Sequence, residues 1–330
     1  MIGSASGPKI GITGLGTNVP ARVMTNDELA LHVDTTDEWI RERTGIRERR
    51  IASQEEALSD IAIPAVQEAL AEAGVEASEI DLIICATLTP DMIFPTSSAL
   101  MADALGMPNA AAYDLLAGCT GFMYAITQAY GMLASGLSKR AVVVGGDLLS
   151  KILDWDDRST VVLFGDGAGA VVMEPVSDGG FLGFDLGADG AGGMHLCYPG
   201  SGSRHFDDPK SVLRMNGREV FKFATRVMVS SAEAVLEQCG RTVADVDVYV
   251  PHQANKRIID YAVGKLGMPP ERTIVNVDRF GNTSSGSIPL ALADARTAGM
   301  LQDGALVLMT GMGAGLTWGS ALIEWTGTSA

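Results

Sequence analysis

The chain has 330 residues, 47% hydrophobic and 19% charged, enough apolar material for one large core or two ordinary ones and too much for a disordered chain. Its 24 Lys and Arg stand against 40 Asp and Glu, and the net charge of -16 argues against nucleic acid or an anionic membrane as a general partner. No stretch approaches the roughly 18 apolar residues of a bilayer span, and the opening MIGSASGPKIGI lacks the cationic and apolar regions of a secretory signal, so a cytoplasmic protein is expected. Four well-separated cysteines, with no C-x-x-C pair, point to neither a zinc site nor a disulfide framework, and no metal is expected.

In chain order, Thr25 to Glu28 has capping-box form, and Thr36 followed by Asp37 and Glu38 starts a second helix. A helix over 59–73 closes at Gly74. Apolar runs at 82–86, 141–144, 161–164, 170–173, 246–250 and 305–309 read as buried strands. Helices alternating with such strands predict a layered α/β protein.

The chain also resembles itself. PAVQEALAEAGVEASEIDLIICAT matches SSAEAVLEQCGRTVADVDVYVPHQ, Leu105-Gly106-Met107-Pro108 recurs as Leu266-Gly267-Met268-Pro269, and KRAVVVGG has a counterpart in DGALVLMTG. Three matches in the same order at nearly constant offset predict two duplicated α/β halves, 1–176 and 177–330, joined at VSDGG and packed as one unit with the site at their junction. The same offset relates the loop holding Cys119 to the loop holding Asn282.

Cys119 lies in Leu115-Leu116-Ala117-Gly118-Cys119-Thr120-Gly121-Phe122, between a strand from Ala111 and a helix over 123–134. Flanking glycines allow the tight turn, and the helix N-terminus is expected to favour the thiolate. Cys85, inside a strand, reads as a small buried hydrophobe, and Cys197 and Cys239 carry no assigned role. His252 follows an apolar strand and Pro251, at the carboxyl end where α/β sites collect, whereas His32, His195 and His205 have no catalytic neighbour in sequence. Asn282 stands in a Gly-rich loop before a helix. Gly14-Leu15-Gly16 is a G-x-G that continues into no G-x-x-G, a weak nucleotide signal.

TTDEWIRERTGIRERR, GCTGF, FGDGAGA, PHQAN, RFGNTSSGSIPLAL and GAGLTWGSAL, in that order over nearly the whole chain, resemble the condensing enzymes of the thiolase superfamily, and within them β-ketoacyl-acyl-carrier-protein synthase III. The resemblance implies a thiolase-like αβαβα body and a Cys119-His252-Asn282 triad. It implies a ping-pong Claisen condensation of acyl-CoA with malonyl-acyl-carrier protein, these being substrates, with no cofactor. Backbone N–H groups of Cys119 and Ala314 would hold the oxyanion, Ala314 replacing a glycine found in many relatives. Trp39 and Arg158 would sandwich the adenine of CoA, with Arg43 near its phosphates and Asn255 on the pantetheine arm. Phe94 would reach the partner subunit's acyl pocket, implying a homodimer, and Phe164 and Leu213 would line that pocket.

A degradative thiolase would need a second, C-terminal cysteine, which the turn at 311–315 lacks, and a catalytically silent relative would lack Cys119. The remaining rival is a condensing enzyme or acyltransferase of polyketide or quinolone-type metabolism using the same triad. Acyl carrier protein is acidic, so docking on a chain of net charge -16 calls for a local reversal. Lys256, Arg257 and Lys265 on one helix, with Arg214, Arg218, Lys222 and Arg226 on another, are the expected patch, with Lys222, Lys256 and Arg257 as docking residues.

Overall fold

In the computed structural model, which describes residues 7–200, 202–204 and 211–326, the uniformly apolar runs form strands covered on both faces. In chain order come β1 (Lys9–Asn18), α1 (Asp37–Thr44), α2 (Leu58–Ala73), β2 (Leu82–Ala86), α3 (Ser97–Leu105), β3 (Ala111–Leu115), α4 (Gly121–Ala134), β4 (Ala141–Leu148) and β5 (Asp166–Val176). There follow β6 (Gly180–Ala188), α5 (Gly217–Gln238), β7 (Val248–Pro251), α6 (Lys256–Leu266), α7 (Ser287–Thr297), β8 (Leu306–Gly313) and β9 (Thr317–Glu324). Residues 1–6 and His205 lie outside the described residues. The expected caps form: the hydroxyls of Thr25 and Thr36 accept the N–H groups of Glu28 and Trp39, each at 3.2 Å, and α2 ends on left-handed Gly74 at φ 65°.

The first sheet has the order β1-β5-β4-β2-β3 and the second β7-β8-β9-β6. Their pairings correspond. From β1 the links run antiparallel, antiparallel, parallel, parallel; from β6 they run antiparallel, antiparallel, parallel, then a parallel bridge between Tyr249 and Thr273. Alternation along each strand sorts side chains into layers. Leu82, Ile84 and Ala86 of β2 face inward with Val248 and Val250 of β7, packing on Phe122 and Ile126 of α4 and Ile288 and Leu292 of α7. Ile83 and Cys85 face outward onto Ile61, Ala65 and Ala69 of α2, while Tyr249, Leu308 and Leu322 face outward onto Ala232, Val235 and Leu236 of α5. The result is the αβαβα stack, with α4 and α7 between the sheets. Arg296 of α7 reaches across to Glu72 (2.5 Å) and Glu68 (3.1 Å) of α2.

Two expectations change. Residues 161–164 are not a strand. Asp157 caps a short helix, Arg158–Val161, by accepting the N–H of Ser159 at 2.8 Å; the chain then turns, and Phe164 makes only a bridge to Asn282. The apolar run is buried through tertiary packing rather than sheet pairing, and β5 starts at Asp166. Arg214 precedes α5 in a short strand, so it does not share a helix with Arg218, Lys222 and Arg226.

Gly14 and Gly16 bind no nucleotide phosphate turn: both lie within β1, under α2. A Cβ on Gly14 would stand 2.0 Å from the Ala69 carbonyl oxygen, and one on Gly16 would stand 2.1 Å from that of Ala65. Backbone on both sides leaves nothing to yield, so Gly16→Ala should cost about 3 kcal/mol, a large overpacking penalty. Urea unfolding measures it, and a change below about 0.5 kcal/mol would contradict the packing argument.

Candidate active site

Gly118, at φ 59°, bends the chain from β3 into a single 3-10 turn, Gly118–Thr120, that runs into α4 and carries Cys119. The end of β8 presses on this turn backbone to backbone. A Cβ on Gly118 would lie 2.6 Å from both N and O of Ala314, and one on Gly313 would lie 2.4 Å from the N of Cys119. Glycine is needed at 118 for its left-handed φ and at both positions for the approach.

Burial pushes the Cys119 thiol up to about 12, with a smaller push from buried Asp147; the backbone N–H groups of Cys119 and Ala314 pull the other way. The expected thiolate is therefore corrected: desolvation by burial outweighs the helix terminus, and the thiol keeps its proton. The same two N–H groups named for the oxyanion are those that converge on sulfur.

His252 follows β7, and its N–H bonds the Thr310 carbonyl of β8 at 2.7 Å. The residue is 1% exposed; Nδ1 lies 2.5 Å from Ser287 Oγ, and Nε2 has no partner among the described residues. Burial lowers its pKa to about 3, so the imidazole is neutral. Asn282 accepts the Ser284 N–H on Oδ1 at 2.9 Å, which turns its amide nitrogen away from that turn. Cys119, His252 and Asn282 together line a cavity of about 610 Å³.

Trp39, Arg43 and Asn255 line the same cavity. The guanidiniums of Arg43 and Arg158 lie 4.8 and 4.9 Å from the Trp39 ring centroid. Arg158 is too near for a base to stand between them, so the pair must part before an adenine stacks. Asn255 caps α6, accepting the Arg257 N–H at 2.9 Å and donating to the Arg43 carbonyl at 3.2 Å, so its side chain already serves the fold. Lys222 and Arg257 line the mouth, but Lys222 pairs with Glu219 at 2.8 Å and Lys256 with Asp260 at 2.7 Å. Arg257 instead rests over the Phe221 ring, 5.6 Å away.

A second cavity of about 930 Å³ opens on the other side of Cys119, lined in part by Phe164, Leu196, Leu213, Met92 and Ile93. Phe94 lines neither cavity of its own chain and is 81% exposed. No helix among the described residues is long and apolar enough to cross a membrane.

Sequence reasoning gave no role to Asp147, Ser284 or Ser287, although two of them lie in the quoted GNTSSGS. Ser284 was detectable only by its backbone, a non-glycine at φ 51°. Asp147 looked like the end of an ordinary strand.

The buried imidazole predicts a pH signature. The unfolded chain takes up the His252 proton near pH 6.5 and the folded chain only near 3, so the group's full contribution is present above 6.5 and is lost as pH falls through that window. The stability difference between wild type and His252→Gln should therefore fall by about 1.4 kcal/mol per pH unit below pH 6. Parallel stability curves from pH 7 to 4 would refute it.

Two family models match, 3-oxoacyl-[acyl-carrier-protein] synthase III over residues 113–190 and its C-terminal part over residues 236–325. A β-ketoacyl-[acyl-carrier-protein] synthase III of Symbiobacterium thermophilum is 55% identical over 323 residues, covering 96% of this chain and 98% of that protein. The crystal structure of the corresponding Thermus thermophilus protein superposes with a TM-score of 0.91 at 49% identity, covering 96% and 99% of the two chains. The priming β-ketosynthase of the R1128 polyketide pathway also gives 0.91, at 38% identity over 98% of this chain and 99% of its own. With its sequence matched at 55% identity over nearly the full length of both chains and its fold matched as well, the chain belongs to the β-ketoacyl-acyl-carrier-protein synthase III family of condensing acyltransferases.

Proposed function

We propose that the chain joins an acyl-CoA primer to malonyl-acyl-carrier protein at the opening of fatty acid synthesis, in the cytoplasm and without a cofactor. The observation that carries this reading is a nucleophilic sulfur sharing one cavity with an unpartnered, neutral imidazole nitrogen and a carboxamide. Cys119 sulfur attacks the primer thioester; the C–S bond to CoA breaks, and CoA leaves with the thiol proton. Malonyl thioester then loses CO₂, and the enolate oxygen left behind takes hydrogen bonds from His252 Nε2–H and Asn282 Nδ2–H. Its carbon attacks the acyl-cysteine, the N–H groups of Cys119 and Ala314 hold the oxyanion, and the released cysteine recovers a proton.

CoA lies along Trp39, Arg43 and Arg158, with Asn255 presenting backbone as much as side chain to the pantetheine arm. The acyl group enters the second cavity beside Phe164 and Leu213. Exposed Phe94, which serves neither cavity of its own chain, supports a homodimer in which it reaches its partner's. The matching pairings of the two sheets support a duplication with its boundary at 176–177. The structural likeness to the R1128 priming enzyme supports a second reading, in which the same triad primes a polyketide; competition between short, branched and longer acyl-CoAs separates the two.

Cys119→Ala should abolish acyl-enzyme formation from acetyl-CoA by intact mass, while Asn282→Ala should keep acylation and lose about 10²- to 10³-fold in malonyl decarboxylation. An acylated Cys119→Ala protein, or an Asn282→Ala protein that decarboxylates normally, would overturn these roles. Since Arg257 is the docking cation not neutralised by its own helix, Arg257→Glu should raise KM for malonyl-acyl-carrier protein about tenfold and leave acylation by acetyl-CoA unchanged; an unaltered KM removes it from the docking surface.

A further inference from the structure

Ser287 is the first residue of α7 and is 1% exposed. Its hydroxyl oxygen meets two groups. The backbone N–H of Gln253 donates to it at 3.4 Å, and His252 Nδ1 lies 2.5 Å away. Among the described residues it has no other hydrogen-bond partner.

A hydroxyl has one proton and accepts with its lone pairs, whereas a neutral imidazole has one nitrogen that donates and one that accepts. If Nδ1 carried the proton, Ser287 Oγ would accept from both Nδ1 and Gln253, and its own buried O–H would have nowhere to point. If Nε2 carries it, Ser287 donates to Nδ1 while accepting from Gln253, and all three groups are satisfied. Buried polar groups are rarely left unpaired, so the second arrangement wins. Nε2–H is then the donor left without a partner at the wall of the first cavity.

We infer that Ser287 is a positioning residue that fixes the tautomer and ring plane of His252, so that Nε2 presents a proton to an anionic oxygen of a thioester enolate. The role rests on the reaction proposed above for its use, but not for its existence. Ser287 lies five positions after Asn282 on the segment that carries it, so both donors are set by one stretch of chain. A slip of that stretch would disturb the carboxamide and the tautomer together.

The test uses the whole protein labelled with ¹⁵N-histidine. Two-bond ¹H–¹⁵N correlations distinguish Nε2–H from Nδ1–H rings, and the His252 signals are assigned by their loss in His252→Gln. Wild type should show the Nε2–H pattern. Ser287→Ala should show Nδ1–H or a mixture, with malonyl-thioester decarboxylation down at least tenfold and acylation of Cys119 by acetyl-CoA within twofold of wild type; Ser287→Thr should restore both. An Nδ1–H pattern in wild type overturns the inference, and this arm stands even if Ser287→Ala fails to fold. An Nε2–H pattern retained in Ser287→Ala also overturns it. Because the spectra need no substrate, a wild type with the expected tautomer but no decarboxylation would sink the proposed reaction and leave this assignment in place.

Discussion

The site hangs on one buried carboxylate. Asp147, wholly inaccessible at the end of β4, accepts on Oδ1 from the Thr87 hydroxyl (3.0 Å) and the N–H groups of Leu88 (2.6 Å) and Thr89 (3.2 Å). On Oδ2 it meets the Ser285 hydroxyl at 2.9 Å and the Ser285 N–H at 3.3 Å. Burial pushes this carboxyl above its usual range, and the hydrogen bonds from Leu88 and Ser285 oppose that push. Such a group is tolerable inside a protein only when most of its lone pairs are engaged, and that need draws the segment after β2 and the Asn282 segment to one point. Ser285 also stands 2.8 Å from the Ala86 carbonyl at the end of β2, so the segment bearing Asn282 is seated on the first sheet, next to the nucleophile turn.

Around this anchor the electrostatics follow a single cause. Desolvation raises the cysteine and lowers the histidine, and both effects leave the groups neutral. Cys119 and His252 thus hold no formal charge at the wall of the first cavity. Lone charges at this depth would have to be paired.

Most of the architecture was legible because it rests on local rules. Uniform apolar runs mark strands covered on both faces, and threonine caps mark helix starts. That Cys119, His252 and Asn282 would meet at one cavity was legible too, because the glycines and turn residues that place them are local. What failed was non-local. The run 161–164 has strand composition, but Asp157 supplies a helix cap and tertiary packing buries the rest. The protonation state of Cys119 depends on how completely its surroundings exclude water, and the roles of Asp147 and Ser287 depend on which backbone groups reach them across more than thirty residues of chain.

Among the described residues, the two cavities share only Cys119, Phe164 and Leu196 in their linings. The sulfur therefore sits at a waist between two chambers built from almost disjoint sets of side chains. Substitutions that reshape one chamber therefore leave the walls of the other intact, so the two can vary independently of each other. The three residues at the waist are the exception, since each belongs to both walls at once.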